Sequence, residues 1–156
     1  MTDIDGCLRL ARETGAFLDI ELEMLTESLR DWAGNPGEPY TLVERREGEA
    51  LEGFALVRRE ASTEFTFDVT AFCLASSRAV REAGARLLED VEREALRGEV
   101  SAIVRFEMSR RREKAVDRRL LVESGYALIG HIPDFYGPGD DYFMYAKHVS
   151  SARSDS

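Results

Sequence analysis

The stretch "LASSRAVREAGARLL", residues 74–88, leaves an apolar run and enters an amphipathic one. Such a strand-to-helix junction can hold an anion, because the first helical turn has unpartnered backbone amides and the positive end of the helix dipole. Ser76 or Ser77 is a natural N-cap for that helix. Other reactive side chains are sparse. Cys7 and Cys73 lie far apart, without CxxC or Cys/His spacing, in apolar stretches that predict core positions. His131 and His148 have no partner visible in the sequence, and no metal site is expected.

The charge balance narrows the partners. Twenty-one basic against thirty acidic residues leave a net charge of -9, which works against nucleic-acid binding through phosphate neutralisation and favours a cationic small molecule or basic peptide. The one basic run, "SRRREKAVDRR" at 109–119, is interleaved with Glu113 and Asp117 and reads as a solvated helix face. No apolar run approaches the roughly 18 residues of a membrane span, and "MTDIDGCLRL" lacks the pattern of a secretory signal, so a cytoplasmic protein without membrane contact is expected. A chain of 156 residues is long enough for one core and predicts a single domain over 1–149 with a disordered tail at 150–156.

The elements that must position the junction follow from periodicity. Ile4, Cys7, Leu8 and Ala11 predict a helix over 3–14, and Leu22, Leu25, Leu29 and Trp32 a second over 19–33, ended by "GNPGEP". "YTLVERR" and "GFALVRRE" predict a hairpin. In "STEFTFDVTAFCLAS", alternation puts Phe65, Phe67, Val69 and Ala71 on one face until Phe72 and Leu74 make both faces apolar. A long helix follows over 78–97, then the strand "SAIVRFEM", then one helix over "RREKAVDRRLLVES" closed by Gly125. Strands "YALIGHIP" and "DYFMYAKHV", joined by the loop "DFYGPGDD", complete an α/β (α+β) chain with one mixed sheet and about four helices.

From "LARETGAFLDIELEMLTESLRDW" to "GYALIGHIPDFYGPGDDYFMYAK", nearly the whole chain resembles the GNAT superfamily of acyl-CoA-dependent N-acetyltransferases. The most specific part is "SGY...IPDFYGPGDDYFMYAK". The resemblance implies that "FTFDVTAFCLA" and "SAIVRFEM" run parallel and splay apart at their ends. The pantetheine arm of acetyl-CoA would enter that splay along Phe72 and Leu74, with the pyrophosphate at Ser76, Ser77, Arg78, Arg81 and Gly84. It also implies an amine acceptor and direct attack. Asp68 is either the candidate base or a half-exposed strand residue hydrogen-bonded to a neighbour; Glu107 is either a structural anchor or an acceptor for substrate; Tyr136 is either a surrogate acid, a lid or a packing aromatic.

Three departures bear on activity. In the family's phosphate-loop register Ala79 to Gly84 keep only the last small residue, and Glu82 replaces a glycine while adding negative charge beside the anion. The family's proton-donating tyrosine, four residues before Gly125, is Leu121 here, which cannot protonate a thiolate. The family's first strand is also missing, which would leave "YTLVERR" at a sheet edge open to a second copy, so a homodimer is one expectation. Two functions stay open: an N-acetyltransferase using acetyl-CoA or another acyl-CoA, or a non-catalytic relative serving as a binding or assembly module.

Overall fold

The computed structural model describes residues 4–75 and 80–151, with the backbone alone for Val80 and Arg81. The described chain runs α1 (Ile4–Thr14), α2 (Asp19–Gly34), β1 (Tyr40–Glu47), β2 (Ala50–Arg59), β3 (Thr66–Leu74), α3 (Val80–Ala95), β4 (Ser101–Ser109), α4 (Arg110–Val116), α5 (Arg118–Glu123), β5 (Ala127–Gly137) and β6 (Asp140–Ser150). The strands form one six-stranded sheet in the order β1-β2-β3-β4-β6-β5. Every neighbouring pair is antiparallel except β3 and β4. That single parallel step is needed because α3 carries the chain back across the sheet between them.

Each sheet face has its own apolar layer. Cys7, Leu8, Leu25 and Leu29 of α1 and α2 pack on Phe54, Leu56, Ala71 and Cys73. On the other face Leu87, Leu88 and Val91 of α3 meet Ala55, Val57, Val69, Phe72, Val104 and Phe106. Strands β2 and β3 are therefore apolar on both sides, which explains why "GFALV" and "AFCL" break the simple alternation of a half-exposed strand. Cys7 and Cys73 are both buried in the α1/α2 layer.

The expected face assignment along β3 needs one correction. Leu56 pairs with Ala71 but Val57 pairs with Val69, so Thr70 is an extra residue, a β-bulge. The bulge moves Ala71 and Cys73 to the α1/α2 side, leaving Val69, Phe72 and Leu74 toward α3. Phe65 precedes the strand and is exposed.

The single helix expected over 111–124 is two. Asp117 sits at φ 74°, ψ 100°, outside the helical region, and its carboxylate accepts the Arg119 amide to cap α5. Val116, Leu120 and Leu121 are buried, as the spacing predicts. The basic run is only partly solvated: Glu113 is buried and accepts the hydroxyl of Tyr145. At the C-terminal end, order continues past the predicted tail boundary: Ser150 pairs with Ser101, and the Ser151 amide donates to the Val100 carbonyl.

The "DFYGPGDD" loop is mostly strand, with the turn confined to Pro138 and Gly139. The register jumps from Ile132 to Gly137, and Asp134 takes a left-handed φ of 58°. Asp141 holds this irregular hairpin together. Its carboxylate accepts the Asp134 amide at 2.9 Å, Arg110 Nη2 at 2.7 Å and bonds His131 Nε2 at 2.7 Å. His131 thus has a partner that the sequence did not show, and its ring stacks on Phe143 at 4.8 Å.

Two predictions follow from these contacts. A Cβ at Gly53 would stand 2.8 Å from the Cys73 carbonyl oxygen and 2.9 Å from Leu74, so Gly53→Ala should lower stability by about 1–3 kcal/mol in urea unfolding. The Asp134 amide and His131 hold the Asp141 carboxyl down at about 2. Its stabilising effect is complete above the ordinary aspartate value of about 3.9 and is lost as pH falls through about 2. Denaturant titrations should therefore show the Asp141→Asn penalty at neutral pH and a closing gap from wild type in that acidic window.

Candidate active site

The site begins where a pairing stops. β3 and β4 are joined only over Thr66–Val69 and Ile103–Phe106. Beyond that point β3 stays with β2 as far as Leu74, while β4 stays with β6 as far as Ser109. Each strand follows its other neighbour, so a wedge opens between them with an edge of β3 that no described strand pairs. Phe72 and Phe106 meet edge-on at 5.7 Å inside it, and Met108 and Val116 form the facing wall. The enclosed space is about 20 Å³.

The wedge opens on the α1/α2 side into a larger pocket of about 500 Å³. Phe17, Leu18, Ile20, Met24 and Leu25 give it an apolar wall, Tyr136 overhangs it, and Glu21, Asp140 and Arg112 supply charge. Leu18, Ile20 and Met24 are about half exposed or more, which a helix tolerates poorly unless the face has a use. Glu21 is fixed from both ends. One oxygen accepts the Leu18 amide at 2.9 Å and the other faces Arg112 Nη2 at 3.4 Å. Arg112 Nη1 reaches the Thr70 carbonyl at 3.4 Å, and its guanidinium lies 5.8 Å from the Phe17 ring centre.

Asp68 and Glu107 stand along one polar chain, and Tyr136 lies beside its end. Asp68 is buried, not half-exposed, and both its oxygens are bound by Arg105, at 2.6 Å from Nε and 3.0 Å from Nη2. Arg105 Nη2 lies 3.9 Å from Glu107 Oε1, and Glu107 Oε2 accepts the Tyr142 hydroxyl at 2.5 Å. Tyr142 in turn lies 6.4 Å, ring to ring, from Tyr136. Partial burial above all, against the pull of Arg112 and aided by the carboxylates of Glu107, Glu21 and Asp140, raises the Tyr136 hydroxyl above its ordinary pKa. Asp68 is thus a fixed ion-pair partner, while Glu107 is exposed beyond the last β3–β4 pair.

The cofactor candidates separate into groups. Phe72 and Leu74 line the wedge. Ser76, Ser77, Arg78 and the side chain of Arg81 lie outside the described residues. Gly84 is a packing position: a Cβ there would come within 2.6 Å of Leu120 and 3.0 Å of Leu74, so its lack of a side chain lets α3 approach α5 and β3. Glu82 is exposed and pairs with Arg86 at 2.7 Å. Leu121 is fully buried. Arg112 is the functional candidate that sequence reasoning missed. No local pattern separates it from Arg110 and Arg111; the rotation of α4, set by burial of Glu113 and Val116, turns it inward.

No sequence model of a known family and no curated protein matches this chain. Solved structures do. A protein from Desulfovibrio desulfuricans assigned to the GNAT-family acetyltransferases is 25% identical, with a TM-score of 0.82 over 95% of this chain and 93% of that one. The aminoglycoside 6'-N-acetyltransferase from Enterococcus faecium shares the fold at 18% identity and TM-score 0.71, covering 95% and 91%. So does a Salmonella typhimurium protein assigned as an acetyltransferase and solved with its cofactor acetyl-CoA, at 14% identity, TM-score 0.69 and coverage of 96% and 92%. A sheet whose one parallel pair parts at Val69 and Phe106, in an architecture shared almost end to end with a GNAT-family protein, makes this chain a member of the GNAT superfamily.

Proposed function

We propose that the protein transfers an acyl group from an acyl-CoA, with acetyl-CoA as the first candidate, to an amine that carries an apolar body. The parting of β3 and β4 after Val69 and Phe106 carries this reading. It leaves a strand edge that can hydrogen-bond the amides of a pantetheine arm. Phe72 and Leu74 would flank that arm. Bound acetyl-CoA supplies a thioester carbonyl for attack.

The chain's own residues supply the rest. The apolar wall of Phe17, Ile20 and Met24 takes the body of the acceptor, and Glu21, Asp140 and Glu107 favour its ammonium form on arrival. An amine attacks only after losing a proton. Glu107 is better placed than Asp68 to take it, since Arg105 occupies both oxygens of Asp68. Tyr136 covers the pocket as a lid whose hydroxyl stays protonated at neutral pH. Near the start of α3 the charge of Glu82 is partnered by Arg86.

One observation favours the second reading, a binding or assembly module. Leu121 is a buried hydrocarbon where the family resemblance calls for a proton donor. The exposed, nearly uncharged edge of β5 also supports self-association of such a module, or of the enzyme.

Ligand binding separates the two. Acetyl-CoA at about 100 times its dissociation constant should stabilise the fold by about 2.7 kcal/mol, a melting-temperature rise of several degrees. No rise with acetyl-CoA, CoA or longer acyl-CoAs would leave the module reading standing. With a panel of apolar amines and thiol release as the readout, Glu107→Gln should cut kcat by about 10²-fold or more while leaving the melting temperature near wild type. Asp68→Asn should do the reverse, costing about 1–3 kcal/mol of stability because Arg105 loses its partner.

A further inference from the structure

Phe17, Thr70 and Arg112 are the residues that border both the wedge and the larger pocket, so they mark where donor and acceptor would meet. Arg112 is the only charged side chain among the described residues lining the wedge. We infer that its guanidinium, held by Glu21, stabilises the sulfur leaving group of the acyl donor by charge and N–H donation. This inference rests on the acyl-transfer reading above.

Three observations carry it. Arg112 Nη2 is engaged by Glu21 and Nη1 by the Thr70 carbonyl at the bulge, yet Nε is buried and has no hydrogen-bond partner among the described residues. A buried N–H of a cation that lacks an acceptor is unfavourable, and an electron-rich atom arriving along the wedge would satisfy it. Glu21 cannot drift to do so, because its other oxygen caps α2 through the Leu18 amide. Finally, Leu121 leaves the departing sulfur without a proton donor at the family position.

The chemistry balances without one. The amine lone pair forms the C–N bond at the carbonyl carbon, and the C–S bond breaks with its electron pair on sulfur. The amine proton passes to Glu107 or water. A thiol of ordinary pKa about 8.5 leaves as a thiolate, and a fixed cation beside it lowers the cost of that charge with no proton given up by arginine. Glu21 is then a positioning residue. It aims the guanidinium and keeps it from turning toward solvent.

The test uses binding, independent of turnover. Calorimetry would compare CoA with desulfo-CoA, which lacks the sulfur, on the full chain from pH 7 to pH 9.5. A sulfur facing Arg112 should make wild type prefer CoA by about tenfold more at the alkaline end, the equivalent of lowering the bound thiol's pKa by about one unit. Ultraviolet absorbance of the thiolate should rise at lower pH for bound than for free CoA. Arg112→Gln should abolish both effects and Arg112→Lys keep part of them. If the two ligands track each other across pH in wild type, or Arg112→Gln keeps the rise, the inference is overturned. Absence of CoA binding at any pH would instead overturn the transferase reading beneath it.

Discussion

The organisation of the molecule depends on one interrupted ladder of hydrogen bonds. Two parallel strands pair over four residues each and then diverge, because each is held more extensively by an antiparallel neighbour on its far side. Parallel pairing is slightly weaker per residue, so the β3–β4 seam is where the sheet yields. The Thr70 bulge sets the point of departure: it bends β3, rotates Ala71 and Cys73 to the opposite face, and presents the Thr70 carbonyl to Arg112. Phe72 and Phe106, meeting edge-on, line the opening with apolar surface where water finds few partners.

Around that opening the charges are sorted by how firmly they are held. Asp68 and Arg105 form a two-point ion pair on the floor of the α1/α2 side, and Glu60 adds a further contact to the same guanidinium at 3.3 Å. Such a bidentate pair has a rigid geometry and gives the neighbouring Glu107 a fixed electrostatic background. Glu107 itself is tethered by one hydroxyl and otherwise faces solvent. The difference between two carboxylates only a few residues apart in space lies in what surrounds them, not in their chemistry as side chains.

The C-terminal hairpin shows how an irregular segment is made stiff. Asp134 adopts a conformation that few non-glycine residues take, and its side chain accepts the Gly139 amide while its own amide donates to Asp141. Phe143 stacks on the His131 ring, and the Arg110 guanidinium lies over it, 5.3 Å from its centre. These contacts tie β5, β6 and the start of α4 together, and so set both the overhang of Tyr136 and the rotation of the helix that carries Arg112.

Local patterns alone were enough to place α1, α2, α3, the β1–β2 hairpin and the buried cysteines, since apolar spacing reports directly which face of a helix or strand avoids water. They could not place the Thr70 bulge, the break at Asp117 or the partner of His131. A bulge depends on which residue of the neighbouring strand wins each hydrogen bond, and a helix break on whether tertiary packing can offset a left-handed aspartate. The same limit applies to the site. Residue types at 68, 107 and 136 suggested acid–base chemistry, but only the fold put Arg105 against Asp68, left Glu107 accessible and turned Arg112 inward. Composition and periodicity determine which surfaces are buried; the reach of each charged side chain to its partner is a distance between elements remote in sequence, and that exists only once the sheet has assembled.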